Sequence, residues 1–514
     1  MQKIAKGFFG IALLLMQGNL FAQKQVNVDA TNKTTLIVDV QIIDGTGALP
    51  VQGAVRFKGD KIVAIGNLKP AKNELIINGN GLTLAPGFID AHSHHLGDLQ
   101  KNPTGLSTSN QGITTVVIGQ DGEGYPMDSL EKDMREKHIV ANVASYTGHS
   151  SLREQVMGEN NVLRQATQLE VDKMKSILQK ELRKGSLGLS TGLEYEQAFY
   201  SSRDEVLQLA QIAANAKTRY ISHIRSEDVT MADALDEIIQ IGKVTKMPVQ
   251  ISHIKLAKKT DWGTAAAILA QLEKARAEGV QITADVYPYT FWNSTLRVLF
   301  PARDYTNMTS AQMAVTQLCD PTESYIVQYA PQPSYVGKTL STIAKERNET
   351  DAQTLINLVA MAADFKQNNP GYKGSIEAIA AKSMSEEDVA KFIAWPYAVI
   401  CSDGNAGGHP RGYGSFPRIL GKYVRTDKVI DLTNAIYKMT GQTAAYLGIQ
   451  ERGVIAVGKK ADLVLINPKT VNDNATIMNS KALSDGIEMV WVNGQLVYKD
   501  QKATGNKPGV LIKR

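Results

Sequence analysis

Between residues 84 and 402 the chain repeats one pattern, a short apolar run followed by a stretch of helical length. The candidate strands are 84–90, 112–119, 140–147, 185–190, 219–224, 248–254, 280–286 and 396–402. Over 168–184, Leu169, Met174, Ile177, Leu178 and Leu182 recur broadly at helical spacing. Thr167 and Glu170 form a capping box before them, and Gly185 closes the end. Residues 231–243 and 264–277 read as similar amphipathic helices. Parallel strands require such crossovers, so eight strands separated mostly by helices predict an α/β fold, a (β/α)8 TIM-like barrel. The interval 287–395 is too long for one crossover, and roughly 296–375 is expected to be an inserted subdomain or lid.

Both ends are β-rich. Thr35–Val40 and Ala54–Phe57 alternate with Gly turns near the start, as do Ala461–Ile466 and Met489–Gly494 near the end. A small β-sandwich built from 23–83 and 440–514 is expected, with the barrel over 84–439. Residues 1–22 read as an export signal: Lys3 and Lys6, the short apolar core Phe8–Met16, then Ala22 at a cleavage position. That predicts a periplasmic or secreted protein. No Cys follows the apolar core, and no other stretch reaches about 18 apolar residues, so no membrane attachment is expected after cleavage. Hydrophobic residues at 43% exclude a disordered chain. The net charge of +5 is not gathered into a basic cluster, so no nucleic-acid partner is expected. The two cysteines, Cys319 and Cys401, exclude a disulfide scaffold and are expected as buried thiols.

Polar residues collect at the carboxyl ends of the strands, where barrel enzymes place their sites. The first strand ends in Asp90-Ala91-His92-Ser93-His94. A His-x-His there turns both imidazoles to one side of the pleat, which suits a divalent metal. The second strand ends in Gln120-Asp121-Gly122. The fifth carries His223 with Glu227 beyond, the sixth His253 with Lys255, and the eighth ends in Ser402-Asp403-Gly404. His223 and His253 are 30 residues apart, one βαβ unit, so they occupy equivalent places on neighbouring strands. Four His and two Asp can hold one or two divalent ions, with Zn²⁺ favoured by the imidazoles. Such an ion acidifies a water and polarises a carbonyl, and Asp403 can carry the proton to a leaving nitrogen. The chemistry expected is metal-assisted hydrolysis of an amide or similar bond in a small molecule. His95 should point away from His94 as a structural residue, and His138 should lie at the surface. His149 and Tyr195 are candidates to line the pocket. Nothing in the sequence fixes the oligomeric state.

Ala85-Pro86-Gly87-Phe88-Ile89-Asp90-Ala91-His92-Ser93-His94 resembles the first-strand motif of the amidohydrolase superfamily. Gly453–Val464 resembles its return into the terminal β-domain. Gly148–Arg153 with Val156-Met157-Gly158, Gly188–Tyr195, Asp285–Tyr289, and Ser402-Asp403-Gly404 followed by His409–Gly414 resemble the N-acyl-D-amino-acid deacylase branch. The resemblance implies that His92, His94 and Asp403 line one metal position and His223 and His253 a second. It implies that Asp403 is the general acid/base. Lys255 and Tyr287 would recognise the substrate α-carboxylate, with Arg411 a further anion-binding candidate. The implied activity is hydrolysis of N-acyl-D-amino acids or related dipeptides. One departure stands out. The family's second strand usually ends in Gly-Asn-Cys-Gly with a ligating Cys, where this chain has Gly119-Gln120-Asp121-Gly122. Asp121 is expected to ligate as a hard oxygen donor, bridging two ions. A cyclic-amide hydrolase of the dihydroorotase or hydantoinase kind is the alternative, but those relatives bridge their metals with a carboxylated Lys on the fourth strand, which is absent from 185–191. A non-catalytic solute-binding protein would lack the acid/base residue, whereas Asp403 is present.

Overall fold

The computed structural model describes residues 34–514, so the expected signal segment 1–22 lies outside the described residues. Eight strands form the central ring: β1 (Phe88–Asp90), β2 (Ile113–Ile118), β3 (Asn142–Ser145, continued by Thr147–Gly148), β4 (Gly188–Gly192), β5 (Arg219–His223), β6 (Val249–Ile251), β7 (Ile282–Val286) and β8 (Ala398–Ile400). Each pairs in parallel with its neighbour in chain order. β8 meets β1 through Asp403 N–H donating to His92 O and His94 N–H donating to Gly404 O, both at 2.9 Å, which closes the barrel. A parallel strand covered on both faces needs a nearly continuous apolar run, and β2, Ile-Thr-Thr-Val-Val-Ile, is buried at every position.

The outer helices follow from their local signals. In the helix Gln168–Arg183 the Thr167 side chain accepts from Glu170 N–H, and Glu170 accepts from Thr167 N–H at 2.8 Å. Val171, Met174, Leu178 and Leu182 form its buried stripe. Gly185 then takes φ +104°, and a Cβ there would run into Lys513.

The two ends build one β-domain, a continuous nine-stranded sheet joined where Thr83–Pro86 pairs antiparallel with Leu463–Ile466. Val55, Phe57 and Ile62 share a core with Leu463 and Trp491, so strands distant in the sheet order meet as the sheet curls on itself.

The structure departs from the expected boundaries in two places. Part of 440–514 belongs to the barrel. The helix Gly441–Leu447 and Ile449 cover an apolar cluster of Ile89, Val117, Ala144 and Ile221 from β1, β2, β3 and β5. The last residues run beside β3, with Gly509 and Ile512 N–H donating to Ile139 O and Val143 O. The apolar cluster needs covering, and the chain returning from the sheet covers it. The insertion is also wider than 296–375. It is framed by an antiparallel three-stranded sheet of Phe291–Ser294, Glu377–Lys382 and Tyr325–Tyr329, with Glu377–Lys382 in the middle. The helix Glu386–Ala394 is the true crossover into β8. The framing strands are four to six residues long, and two of them, Phe291–Ser294 and Glu377–Lys382, lie just outside the expected bounds.

Candidate metal centre

The carboxyl ends of the barrel strands open into a cavity of about 1260 Å³, walled on one side by the insertion. His94, Asp121, His223, His253 and Asp403 all line it. Just beneath its floor the fully buried His92 has Nε2 3.3 Å from His94 Nε2, 3.4 Å from Asp121 Oδ2 and 3.5 Å from Asp403 Oδ1. His94 Nε2 is 3.5 Å from the same Asp121 oxygen and 3.3 Å from the same Asp403 oxygen. Four ligands arranged tetrahedrally at zinc bond lengths stand roughly 3.3–3.4 Å apart. The donor set and its spacing fit a divalent ion.

A second group adjoins the first. Asp121 Oδ1 is 3.3 Å from His253 Nε2, which is 3.1 Å from His223 Nδ1. Asp121 Oδ1 is buried with no hydrogen-bond partner, as an oxygen kept for an ion would be. Each imidazole has a carboxylate behind it. His223 Nε2 lies 2.8 Å from Glu194 Oε2, and His253 Nδ1 lies 2.9 Å from Glu227 Oε1. Lys255 Nζ sits 2.6 and 2.7 Å from the two Glu227 oxygens and 2.6 Å from His253 Nδ1.

The backbone at these strand ends is unusual. Asp121, His253 and Asp403 have φ of +57°, +34° and +47°. Left-handed conformations of residues with side chains cost roughly 1–3 kcal/mol each and persist where the surroundings impose them. Three of them at one cluster mark it as a built site.

The charges point the same way. Burial works against charge on His94, yet Asp121 and Asp403 outweigh it and push the imidazole up to about 9. Burial alone would raise Asp121, but His92 and His253 hold it well below the usual carboxylate range. Asp403 is likewise held far down against its burial by Arg411, whose Nη1 donates to Asp403 Oδ2 at 2.6 Å, and by His253 and His92. Glu194 shows the opposite imbalance, since burial and then the charges of Asp228 and Glu227 push its carboxyl well up. Carboxylates gathered in excess of their cations are what a divalent ion would balance.

All six residues expected at the metal, His92, His94, Asp121, His223, His253 and Asp403, therefore meet. Of the residues expected at a substrate carboxylate, Lys255 and Arg411 reach the cavity wall. Each already has a carboxylate partner, Glu227 and Asp403. Tyr287 stands behind them, off the wall, its ring 5.0 Å from the Arg411 guanidinium and its hydroxyl donating to Met384 Sδ at 3.9 Å. Tyr195 is on the wall, its ring 4.5 Å from that of His223. His149 is not. It is buried against Glu205, with Nε2 at 2.8 Å from the carboxylate, in a network with Arg153. His95 is structural, held by Ser93 Oγ and Gly412 O, and burial lowers it to about 4. His138 is exposed, and Cys319 and Cys401 are buried free thiols.

Sequence reasoning passed over Glu194 and Asp285. Asp285 of β7 accepts from His253 N–H at 2.8 Å and Gln250 Nε2 at 2.7 Å, and its Oδ1 lies 3.4 Å from His92 Nδ1. A carboxylate inside the apolar run Ile282–Val286 was its signal, because a fully buried charge needs partners. Glu194 had no comparable signal, being a turn residue.

A family model for the amidohydrolase family matches residues 75–322 and 360–498. N-acyl-D-glutamate deacylase of Alcaligenes xylosoxydans xylosoxydans is 32% identical over 92% of this chain and 95% of its own. N-acyl-D-aspartate deacylase of the same organism is 30% identical over 93% and 94%. The solved structure of an N-acyl-D-glutamate deacylase from Bordetella bronchiseptica, complexed with zinc and a phosphonate inhibitor, superposes with a TM-score of 0.83 at 28% identity, covering 94% of this chain and all of that one. A D-hydantoinase structure, at 14% identity and a TM-score of 0.56, shares the fold alone.

Proposed function

The chain belongs to the amidohydrolase family, in its N-acyl-D-amino-acid deacylase branch, and from that premise we propose that it is an exported zinc hydrolase cleaving the amide bond of N-acyl-D-amino acids or related dipeptides. The observation that carries this reading is the cluster of His92, His94, Asp121 and Asp403 at the base of the cavity, in which the two imidazoles stand 3.3–3.5 Å from each other and from both carboxylates. His92, His94 and Asp403 would hold one ion, His223 and His253 a second, and Asp121 would reach both with its two oxygens. Zinc held there supplies Lewis acidity toward an amide carbonyl and acidifies a water.

The chain's own residues do the rest. Asp403, kept ionised by Arg411, takes a proton at its carboxylate and returns it to the departing amide nitrogen. Lys255 and Arg411 place positive charge on the wall where a free substrate carboxylate can be held by charge-assisted hydrogen bonds. Tyr287 supports their position from behind. The fourth strand, Gly-Leu-Ser-Thr-Gly, has no Lys to carry a bridging carbamate, which weighs against the cyclic-amide reading. The leader-like residues 1–22 support export, and sequencing the amino terminus of protein recovered from the periplasm or medium should begin at Gln23.

The deciding assay presents zinc-loaded protein with N-acetyl-D- and N-acetyl-L-amino acids, mixed-chirality dipeptides and cyclic imides. Hydrolysis of the D-series is expected, with loss in Asp403→Asn. Turnover of cyclic substrates alone would refute the deacylase reading. Equal inactivity of wild type and Asp403→Asn would turn it into a binding protein.

A further inference from the structure

We propose that Glu194 is a positioning residue that selects which nitrogen His223 offers to a second ion, and that the inserted subdomain holds Glu194 in place through Arg303. This rests on the reading of His223 and His253 as the second half of a metal centre.

An imidazole ligates through one nitrogen and must carry its hydrogen on the other. His223 turns Nδ1 toward His253 Nε2, at 3.1 Å, and Nε2 toward Glu194 Oε2, at 2.8 Å. An ion on Nδ1 therefore puts the hydrogen on Nε2, and Glu194 is the acceptor waiting for it. The next carboxylate oxygen, Glu227 Oε2, is 3.7 Å away, beyond hydrogen-bond reach. Glu194 is 4% exposed, so water does not readily substitute for it.

The two halves of this pairing are held differently. Glu227, behind His253, is gripped by Lys255, two residues from that histidine. Glu194 lies in the turn after β4, which Leu193 N–H ties to His223 O of β5 at 3.1 Å. The insertion adds a further grip on Glu194 itself. Arg303 donates to Glu194 O and, at 2.8 Å, to Phe300 O, and its guanidinium packs 4.5 Å from the Phe199 ring centroid. Arg297 donates to Glu196 Oε1 at 3.0 Å, and Tyr305 donates to the same oxygen at 2.7 Å. Arg303 is itself held at φ +57°, a conformation the surroundings must impose. A subdomain that supplies none of the expected ligands thus holds the turn that orients His223 through Arg303, and the start of the helix after it through Arg297 and Tyr305.

The test is zinc binding by the full chain. Protein stripped of metal is titrated with Zn²⁺ against a chromophoric chelator of known affinity, giving the number of ions and a constant for each. Wild type should bind two. Glu194→Ala should weaken one of them by about 10–100-fold and leave the other unchanged. Glu194→Gln, whose amide oxygen can accept the same hydrogen, should lose less than about tenfold if the role is positioning. Arg303→Ala should weaken the same ion as Glu194→Ala. Thermal unfolding of the metal-free proteins reports whether each variant folds, and if Glu194→Ala does not, Glu194→Gln and Arg303→Ala decide. Wild-type constants for both ions in Glu194→Ala, or equal weakening of both, would overturn the proposal. Wild-type constants in Arg303→Ala alone would overturn the part played by the insertion. A wild type that binds one ion would overturn the two-ion reading and this inference with it, whereas two ions bound with the same constants in wild type and in Glu194→Ala would overturn this inference only.

Discussion

The half of the centre around Asp403 and the half around His223 hold their expected ions by different means. The first gathers two carboxylates and two imidazoles from β1, β2 and β8, and the side chain of one imidazole, His94, is 26% exposed to the cavity. The second sets two imidazoles from neighbouring strands back to back, 5% and 2% exposed, each with a carboxylate behind it. In the first, charge would touch the ion directly. In the second, two neutral imidazoles and the shared Asp121 Oδ1 would touch the ion, and the carboxylates behind the imidazoles fix their orientation. Proton transfer needs a basic oxygen at the cavity, which the first half supplies in Asp403. Anchorage needs rigid geometry, which the second half supplies.

Four substitutions probe that division, beginning with the largest effect. Asp403→Asn should lower kcat about 10²–10⁴-fold while an ion stays bound at His223 and His253, as steady-state kinetics and metal analysis would show. Equal loss of both ions would break the distinction between chemistry and anchorage. Arg411→Met comes next. It removes a charged hydrogen bond of roughly 1.5–3 kcal/mol from Asp403, so kcat/KM should fall about 10–100-fold with metal content unchanged.

Glu377, in the insertion, sharpens the comparison from outside the centre. Burial outweighs the hydrogen bond it accepts from Leu296 N–H at 2.7 Å and the charge of Arg297, and pushes its carboxyl up to about 7 from an ordinary 4.5. Between those values the folded chain binds more protons than the unfolded one, so stability falls as pH rises from about 4.5 and the loss is complete above about 7. Glu377→Gln should flatten that slope and raise stability at pH 8 by up to about 3 kcal/mol, read from denaturant unfolding at pH 5 and pH 8. The smallest effect belongs to the capping box. Thr167→Ala should cost about 1 kcal/mol in stability and leave zinc affinity and kcat as they are.

Much of this was legible in the sequence because a parallel barrel writes its strands as apolar runs and ends them in its functional residues. The Ile-Ser-His of β5 and of β6 lie one βαβ unit apart, and that spacing alone brings His223 beside His253. Asp121 was legible as a departure, an oxygen donor where relatives place a thiolate. Residues that act through other residues left weaker marks. Asp285 was visible only as a charge in an apolar strand. Glu194 sits in a turn whose place is set by Arg303, 109 positions later in the chain, a relation no local spacing encodes. The insertion hid its edges because the framing strands at its two ends, Phe291–Ser294 and Glu377–Lys382, are only four and six residues long.

On this reading Asp121 serves both halves of one two-ion centre. An anomalous difference map collected at the zinc edge from crystals of the zinc-loaded protein tests it directly. Two peaks about 3.5–4 Å apart, with Asp121 Oδ2 at the one near His92 and His94 and Oδ1 at the one near His223 and His253, are the expected result. A single peak, or two peaks of which Asp121 touches only one, would contradict it.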